Sequence, residues 1–581
     1  MRRRRLVAAA VIAATLVASL AACAPALPET VVPDSHATVA WPREFTSTNA
    51  AVAPTPGNID IAAATRGSFG SLVDGEFVPD ESFGTVGIVG DDPFTVRYDL
   101  AEPAWSDGIP LDAADLLLGW AGASGYFLPD SEADTDTDAD AEADADAEAE
   151  AEADAGPAVP EVDEFARSIE VSFPQPVYGW QQAVTVPVPA HVVGRRAFGT
   201  DDAMEAKQAV IRAILDGDAA ALEKVSKVWN DDFAFSDPTG IPADLLLSSG
   251  PYRVDRVDAE AGGQTVRLVP NAAYRGAPTP KVARVDLVPP GDDPIAAVGE
   301  SIDIASLAPV TANRDRIQAL ERKDFTVDTT HDGTVWALQL NASGVFSAHQ
   351  ARAAFLHAVP ATTLMQRGAG VWAQAFTGTT SMLAAPGSRA YDIVNEDSGF
   401  AAALSPTGDE AVVEREAVGP STLAPVCVLY DRGSEFATGA FTALRETAAE
   451  AGWNIADCGA DDFAAALAQR SWNAVIGRFA VPQTPGQIAA QWGTGGGSAL
   501  TGDADPGRDA LIAQLAQTTD VYEARDVRAQ IEATIVRAAV ALPLAVNPRV
   551  TIIDKDVTSV PVLTGSTAPL LSGIAQWEAV P

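Results

Sequence analysis

The stretch WSDGIPLDAADLLLGW, residues 105–120, joins a tryptophan, a tight turn and the start of a helix. Its Ser-Asp-Gly sequence favours a turn, because aspartate can bond to the backbone two residues further on and Gly108 accepts a positive φ. Asp112 stands where a helix N-cap belongs, and Asp115 three residues later completes the pattern of a capping box. The sequence therefore predicts a buried helix over residues 113–121, with the first tryptophan in the core beside it.

Length and charge limit the classes of protein to consider. The chain has 581 residues, more than one hydrophobic core usually serves, so several domains or two large lobes are expected. Hydrophobic residues make up 47% and charged residues 20%, the composition of a globular protein. The formal net charge of −41 becomes about −45 when the four N-terminal arginines are removed. A charge this negative argues against nucleic acid and bare anionic lipid as partners, since both attract Lys and Arg.

The N-terminus, MRRRRLVAAAVIAATLVASLAAC, has the arginines and the short apolar run of an export signal. Small residues before Cys23 resemble the bacterial lipoprotein box, so we predict a signal peptide over residues 1–22 and lipidation of Cys23. A plain secretory signal with an incidental cysteine is the alternative. Elsewhere the sequence lacks the roughly 20 uninterrupted apolar residues of a spanning helix. We therefore expect an exported protein, anchored by lipid at the outer face of the cytoplasmic membrane.

Two segments are expected to lack packed structure. Residues 23–40 are rich in proline and show no periodic pattern, which is typical of a flexible tether. Within residues 130–156, thirteen carboxylates alternate with small residues and no cation is present. Mutual repulsion and the lack of large apolar side chains predict a disordered, solvated insertion. Weak calcium binding is the alternative, although the tract lacks the glycine turn and spaced ligands of a calcium loop.

Hydrophobic periodicity predicts alternating helices and strands along the rest of the chain. Residues 249–276 read as two strands around a Gly-Gly turn, and residues 202–228 read as helical. Val527, Ile531 and Ile535 recur every four residues, which is typical of one face of a helix. These patterns favour an α/β architecture with mixed sheets in two lobes. Predicted strands cover residues 335–341, 425–430, 453–457 and 473–479, and predicted helices cover residues 348–358, 437–451, 461–470 and 508–540.

Two further cysteines, Cys427 and Cys458, lie in the stretches APVCVLY and GWNIADC, which each read as a short buried strand and are separated by a predicted helix. Such a βαβ unit places its two strands side by side. An exported compartment permits a disulfide, so we predict a bond between these cysteines that stabilises the protein by about 3 kcal/mol. Two reduced buried thiols are the alternative.

Catalytic and metal-binding patterns are absent from the sequence. It contains no G-x-S-x-G, H-E-x-x-H or C-x-x-C motif and no Gly-Lys pair for a phosphate loop. Its five histidines do not pair at metal-ligand spacing, which favours surface or packing roles. We therefore predict no catalytic residue, no metal and no cofactor. The histidines are His36, His191, His331, His349 and His357.

Several stretches, taken in order, resemble one family: the extracellular solute-binding proteins of ABC importers, in their peptide, opine and nickel-binding group. The opening stretch resembles the W-S-D-G-x-P-x-x-A-x-D segment of that family. Matches run from about residue 95 to residue 552, so the resemblance covers nearly the whole chain after the signal. The other matching stretches are residues 249–276 (G-P-Y … L-x-x-N-x-x-Y), 299–305, 338–359 and 541–552.

The resemblance implies an α/β fold like that of type II periplasmic binding proteins, in the large three-subdomain variant, with two lobes joined by a hinge. Lobe 1 would cover residues 41–330, lobe 2 residues 331–540, and residues 541–581 would return to lobe 1. It also implies a monomeric, non-enzymatic receptor that captures a peptide or other small solute in the cleft. The receptor would deliver this solute to an ABC permease and its ATPase subunits. The alternative is a surface lipoprotein that uses the same fold for partner binding or signalling without transport; a hydrolase would need a nucleophile and base that the sequence does not show.

One segment departs from the family pattern. Peptide-binding members often carry G-W-x-x-D-Y-x-D-P in the second lobe, with an aspartate for the amino terminus of the ligand. Here residues 477–485 read GRFAVPQTP, so that Val481 and Thr484 replace the acids. A buried ammonium would lack its charge partner, so the ligand is not a free-amine peptide or another carboxylate pairs with it. Position in cleft-forming segments makes Asn49, Arg478, Phe479 and Trp492 the candidate ligand-binding residues, each with a packing or ion-pair role as its alternative.

Overall fold

The computed structural model describes residues 27–73, 75–127, 158–163, 166–238, 240–260, 262–397, 403, 405, 407–561 and 569–581. The predicted signal peptide at 1–22, the predicted lipidation site Cys23 and the predicted acidic insertion at 130–156 lie outside these residues. Every helix in the described part of the chain is too short or too polar to cross a bilayer.

The strands lie along the whole described chain. They are β1 (Val32–Ala40), β2 (Gly70–Val73), β3 (Glu76–Pro79), β4 (Gly84–Asp91), β5 (Phe94–Leu100), β6 (Ser168–Phe173), β7 (Tyr252–Glu260), β8 (Gly263–Pro270), β9 (Val282–Val288), β10 (Ile304–Leu307), β11 (Thr326–Leu340), β12 (Thr377–Gly378), β13 (Val426–Tyr430), β14 (Ile455–Asp457), β15 (Ala474–Ala480), β16 (Ala541–Ile553), β17 (Val557–Thr558) and β18 (Glu578–Ala579).

The helices alternate with these strands. They are α1 (Pro56–Thr65), α2 (Ala113–Ala123), α3 (Ala190–Phe198), α4 (Ala203–Asp216), α5 (Ala219–Lys227), α6 (Pro294–Ala297), α7 (Arg314–Glu321), α8 (His349–His357), α9 (Ala361–Ala369), α10 (Arg389–Asp397), α11 (Glu410–Val418), α12 (Glu435–Glu450), α13 (Phe463–Gln469), α14 (Pro485–Trp492), α15 (Pro506–Ala516) and α16 (Val521–Ala538). Short 3₁₀ turns include Thr311–Asn313 and Gly370–Trp372.

One mixed sheet connects the two lobes. Among the described residues its strand order is β14-β13-β15-β11-β16-β10-β1-β9-β8-β7, with β12 paired to β16 off this path. The strands from β10 to β7 pack mainly into one apolar core and β13, β14 and β15 into another, and we call these two parts lobe 1 and lobe 2. The two long strands in the middle, β11 and β16, pair with each other in both lobes. Lobe 1 also holds the three-stranded sheet β4-β5-β6 and the hairpin β2-β3.

The corner at residues 105–120 folds as predicted. The Asp112 side chain accepts a hydrogen bond from Ala114 N, and the Asp115 side chain accepts one from Asp112 N, the reciprocal bonds of a capping box. Asp115 also accepts a hydrogen bond from Nε1 of the fully buried Trp105. On its other oxygen, Asp115 pairs with the ammonium of Lys207 on α4. This buried carboxylate therefore ties the turn to two helices.

The tether predicted over residues 23–40 is too long, because its second half is strand β1. This strand pairs in parallel with β9 and buries Ala37 and Val39 completely. Prolines nearby obscured the alternation of polar and apolar residues in the sequence HATVA, residues 36–40. Alternation of this kind, with one face buried and the other exposed, is typical of a strand.

The predicted strands and helices of the second half correspond to observed ones, with one difference. The single helix predicted over residues 508–540 is two helices, α15 and α16, separated at residues 517–520. Asp520 caps the second helix by accepting hydrogen bonds from Tyr522 N and Glu523 N. An N-cap inside a long apolar pattern marks the end of one helix and the start of the next. The periodicity of the flanking residues hid this signal in the sequence.

The predicted disulfide is confirmed. β13 and β14 pair in parallel, with Cys427 opposite Ala456, and Cys427 is bonded to Cys458 with an S–S distance of 2.05 Å. Helix α12 packs Phe441, Leu444 and Ala448 against this βαβ unit. The bond therefore joins neighbouring strands at the outer edge of lobe 2.

Candidate functional site

The connection between the lobes is built from β11 and β16. These strands pair through Thr326–His331 in lobe 1 and through Val335–Gln339 in lobe 2, with a register shift between His331 and Val335. Gly333, inside the shift, has a φ of 77°, a conformation that favours glycine. An irregularity of this kind interrupts the ladder and lets a strand bend. We therefore place the hinge at residues 332–334 and the facing part of β16.

Asp332 joins three strands at this hinge. Its Oδ1 accepts hydrogen bonds from N (3.0 Å) and Oγ1 (2.5 Å) of Thr334. Its Oδ2 accepts one from Nδ2 of Asn547 (2.7 Å), and lies 3.4 Å from NH1 of Arg478 on β15. Asn547 in turn accepts a hydrogen bond from Nε1 of Trp336 (2.8 Å). Both oxygens of the Asp332 carboxylate therefore have partners within the protein.

The lobes touch on one side of the hinge through the β2-β3 hairpin. Glu76 on this hairpin pairs with Arg525 on α16 at 2.5 Å. Arg528, one turn further along α16, donates to Oη of Tyr178 in lobe 1 (2.9 Å) and to the carbonyl of Gln483 in lobe 2. Two arginines of a single helix therefore hold the two lobes together.

A narrow pocket lies at this contact, with about 60 Å³ of space for water-sized molecules. Its walls come from both lobes, and the backbone N–H of Tyr178 donates across it to the carbonyl of Ala516 (2.8 Å). This space is smaller than that of a typical small-molecule site. Its lining includes Leu72, Glu76, Phe77 and Gln181 from lobe 1 and Thr518, Val521, Arg525 and Arg528 from lobe 2.

The lobes also touch on the opposite side of the hinge sheet. Thr311 in lobe 1 donates through N (2.9 Å) and Oγ1 (2.8 Å) to Glu435 at the start of α12. Trp372 in lobe 2 donates through Nε1 to the carbonyl of Val310 (2.8 Å). The two lobes are therefore in contact on both sides of the connection.

Two of the four candidate ligand-binding residues lie at the hinge. Arg478 and Phe479 are neighbours on β15, opposite Trp336 and Val335 of β11. The Arg478 side chain is 52% exposed, while Phe479 is partly buried against the core of lobe 2. Arg478 is therefore available to a solute near the hinge, beyond its contact with Asp332.

The other two candidates lie in the packed interior. Asn49 is buried in lobe 1, where its Nδ2 donates to the carbonyl of Trp229 (3.0 Å) and its Oδ1 accepts from Ala51 N (3.2 Å). Trp492 is buried in lobe 2 against Ile488 and other apolar residues, and its Nε1 has no acceptor among the described residues. Trp492 therefore belongs to the apolar cluster against which Phe479 packs, whereas the hydrogen bonds of Asn49 are to residues of lobe 1.

The positions that lack the expected acids have packing roles. Val481 is buried in the core of lobe 2. Thr484 is the N-cap of α14, and it forms a capping box with Gln487. The described second lobe therefore offers no carboxylate at these two positions for a ligand ammonium.

Sequence reasoning missed an aromatic stack next to the hinge. The rings of Trp336 and Phe436 are stacked with centroids 4.5 Å apart, and those of Phe436 and Phe376 are stacked at 4.9 Å. The three residues come from three separate segments, so no local pattern points to them. Arg525 and Arg528 were also missed. Charged residues on the buried face of a helix indicate that each of these side chains has a partner.

A buried carboxylate on α16 binds the backbone of a neighbouring loop, residues 381–383. Glu532 is fully buried, and it accepts hydrogen bonds from Oγ of Ser381 (2.5 Å), Met382 N (2.8 Å) and Leu383 N (3.0 Å). Burial raises the pKa of Glu532 to about 7, against the opposing effect of these hydrogen bonds. This helix therefore carries one group that titrates near neutral pH.

The described residues hold no group of three or more His, Cys, Asp or Glu side chains that could bind a metal ion. The lining of the interlobe pocket includes arginine, hydroxyl and aromatic side chains.

Comparison with known families matches residues 89–456 to the model of bacterial extracellular solute-binding proteins, family 5, middle region. Among curated proteins, an uncharacterized lipoprotein of Mycobacterium leprae is 28% identical over 204 residues, which are 35% of this chain and 32% of that protein. The match thus spans about a third of the relative's length.

Two solved structures resemble the whole fold. The periplasmic EDTA-binding protein EppA has a TM-score of 0.72 at 16% identity, covering 96% of this chain and 98% of that chain. The ABC transporter substrate binding protein CtaP from Listeria monocytogenes has a TM-score of 0.69 at 15% identity, covering 94% of this chain and 99% of that chain. At these identities the likeness concerns the fold.

Proposed function

This chain belongs to the bacterial extracellular solute-binding proteins of family 5, the binding proteins of ABC importers, and we propose on that premise that it is the lipid-anchored receptor of one such importer. It captures an oligopeptide-like or other small solute between its lobes and delivers it to a membrane permease. It makes and breaks no bond itself. The N-terminal export signal and the lipoprotein name of the mycobacterial relative support the anchor at Cys23.

The observation that carries the proposal is the hinge with contacts on both of its sides. β11 and β16 belong to both lobes, and their register shift gives a place to bend. The pairs Glu76–Arg525 and Thr311–Glu435 form only when the lobes meet. A solute that contacts both lobes binds the closed form better, and it therefore shifts the population toward closure. A permease can recognise the closed shape.

The ligand-binding residues proposed are Arg478 and Phe479 at the hinge, with Asn49 and Trp492 in supporting positions. Arg478 keeps half of its side chain exposed while it contacts Asp332. A ligand with a negative or strongly polar group would meet this guanidinium directly. The missing acids at Val481 and Thr484 favour such a ligand over a peptide with a free amino terminus.

A thermal-shift screen of peptides and small solutes on the purified full chain tests the proposal. A compound that binds only the folded protein adds about 2.7 kcal/mol of stability at a concentration 100 times its Kd. We expect a hit to raise Tm in the wild type and in the surface control Arg97→Gln, whose ion pairs with Asp99 and Glu170 lie within lobe 1. Absence of any shift across the screen, or conversion of a compound by the isolated protein, contradicts the receptor function.

A further inference from the structure

Trp372, in the short turn that follows α9, is in contact with apolar cores of both lobes. Its ring packs against the lobe 2 core that contains Phe436. The same ring packs against the core that α7 forms with the lobe 1 half of β16. Its Nε1 donates a hydrogen bond to the carbonyl of Val310 in lobe 1 (2.8 Å). A ring shared between two cores loses apolar contact with one of them when the lobes separate.

The helix that carries the second contact on this side is packed directly against α9. Glu435, the first residue of α12, accepts both hydrogen bonds from Thr311. The two helices cross where a Cβ atom on Gly439 would lie 2.5 Å from the carbonyl oxygen of Arg367. So close an approach of two backbones leaves no room for a side chain. Trp372 and Glu435 therefore form one surface of lobe 2 against lobe 1.

These contacts join the carboxyl ends of parallel strands in the two lobes. In lobe 1, β10 is parallel to β1, and Thr311 follows the carboxyl end of β10. In lobe 2, β13 is parallel to β14 and β15, and Glu435 follows the carboxyl end of β13. Ligands of open α/β sheets bind in the crevice outside the carboxyl ends of the strands. The contacts therefore lie across the crevice in which a solute is expected.

The interlobe contacts of α16 lie on the other face of the hinge strands. Trp336 and Leu338 on β11 pack into the core that includes α12. Val335 and Ala337, which alternate with them, pack into the core that includes α16. Alternate residues of a strand point to opposite faces of its sheet. The surface that carries Trp372 and the interlobe contacts of α16 therefore lie on opposite faces of the hinge strands.

We propose that Trp372 is a latch residue, which holds the crevice shut by docking against the apolar core of lobe 1. The inference rests on the receptor function proposed above, and it deepens that function by assigning the residue that regulates access of the solute to the crevice. Because the contacts on the two faces of the hinge form together, release of the latch on one face frees the lobes to separate at the other face as well. A solute enters while the latch is released and is retained once the latch closes.

A merely structural role for Trp372 predicts local effects. Loss of the ring would then loosen its own turn and the lobe 1 segment that it covers, with the α16 side of the hinge unchanged. Two backbone amides distinguish these roles, because both donate between the lobes. Thr311 N donates to Glu435 beside the latch (2.9 Å). Tyr178 N donates to the carbonyl of Ala516 on the α16 side (2.8 Å).

Hydrogen exchange with mass spectrometry, on the full chain without added solute, measures both amides. The variants are Trp372→Ala, Trp372→Phe, which removes the indole donor and keeps a ring, and the control Val371→Ala, whose side chain is 44% exposed in the same turn. Trp372→Ala is expected to speed exchange of both amides by about 10- to 100-fold. Trp372→Phe is expected to speed it by about fivefold, the equivalent of one hydrogen bond. Val371→Ala is expected to exchange at wild-type rates, and so are β4 and β5 within lobe 1 in every variant.

Wild-type exchange of the Tyr178 amide in both Trp372 variants overturns the latch, whether or not exchange of residues 308–313 becomes faster, and it leaves the receptor function standing. If fast exchange of β4 and β5 shows that Trp372→Ala is unfolded, Trp372→Phe decides the question by the same criterion. The receptor function fails separately, when no compound of the thermal-shift screen binds the wild type, whatever the exchange rates of the variants.

Discussion

Glu76 and Arg525, 449 residues apart in the chain, meet across the two lobes: Oε1 of Glu76 accepts hydrogen bonds from Nε (2.9 Å) and NH2 (2.5 Å) of Arg525. The carboxylate is on a short hairpin of lobe 1, and the guanidinium is on the long helix α16 of lobe 2. Because this pair exists only when the lobes touch, its energy acts on the equilibrium between open and closed forms rather than on either lobe alone.

Replacing Glu76 by Gln is therefore expected to favour the open form. This ion pair, whose side chains are 8% and 29% exposed, is expected to contribute about 1 kcal/mol. That energy corresponds to about a fivefold change in the closed population and to a similarly weaker apparent Kd. Small-angle scattering and calorimetry measure the two effects. Glu170→Gln, which removes the ion pair between β6 and Arg97 within lobe 1, is the control. Unchanged scattering and Kd in Glu76→Gln would show that this pair has no part in closure.

The buried Glu532 predicts a specific pH dependence of stability. Its pKa is raised from 4.5 to about 7 in the folded protein. Between these values the folded state holds a proton that the unfolded state releases, so the free energy of unfolding falls as pH rises from 4.5 to 7. The difference amounts to about 3 kcal/mol at most.

Urea unfolding of the wild type and Glu532→Gln between pH 4.5 and 8 checks this. The glutamine variant is expected to be less stable overall, because three donors lose a full acceptor, and to show a shallower slope with pH. Glu523→Gln, an exposed position on the same helix, keeps the slope of the wild type. Parallel pH profiles for the wild type and Glu532→Gln would contradict the raised pKa.

The buried ammonium of Lys207 holds the opening corner of the sequence together. It lies 2.7 Å from Asp115 and 2.9 Å from Asp112. Lys207→Met leaves two carboxylates without their cation, and we expect a loss of about 3–5 kcal/mol in the free energy of unfolding. Lys224→Met, at an exposed position of the next helix, is expected to change it by less than about 0.5 kcal/mol. Equal losses in the two variants would mean that the network contributes nothing.

The disulfide gives a fourth prediction. The double variant Cys427→Ala/Cys458→Ala is expected to lose about 3 kcal/mol, since the bond closes a loop of 31 residues. Urea unfolding with and without dithiothreitol measures this loss in the wild type. The reductant should leave the double variant unaffected, and a wild type indifferent to reductant would indicate that the bond contributes no stability.

Much of the fold was predictable because it depends on local signals. The capping box at Asp112 and Asp115 fixed the start of α2, and the apolar stretches around Cys427 and Cys458 predicted the paired strands and their bond. Strand β1 was missed, because parallel pairing with a strand some 250 residues away buries residues whose own sequence is weakly apolar. Sequence separation, rather than residue type, limited the prediction there.

The candidate site was less predictable for the same reason. Arg478 could be chosen from a segment pattern, yet the neighbours that define its surroundings, Asp332 and Trp336, come from another strand. Asn49 and Trp492 were chosen by position in the chain, and packing directs both side chains into the interior.

The central claim is that the two lobes close over a solute, and small-angle X-ray scattering tests it most directly. The natively purified chain is measured, stripped of bound compounds by unfolding and refolding, and measured again with the compound that raises Tm most. We predict that the radius of gyration increases on stripping and decreases when the compound is restored. Identical scattering in all three states, with the compound shown by calorimetry to be bound, would contradict closure.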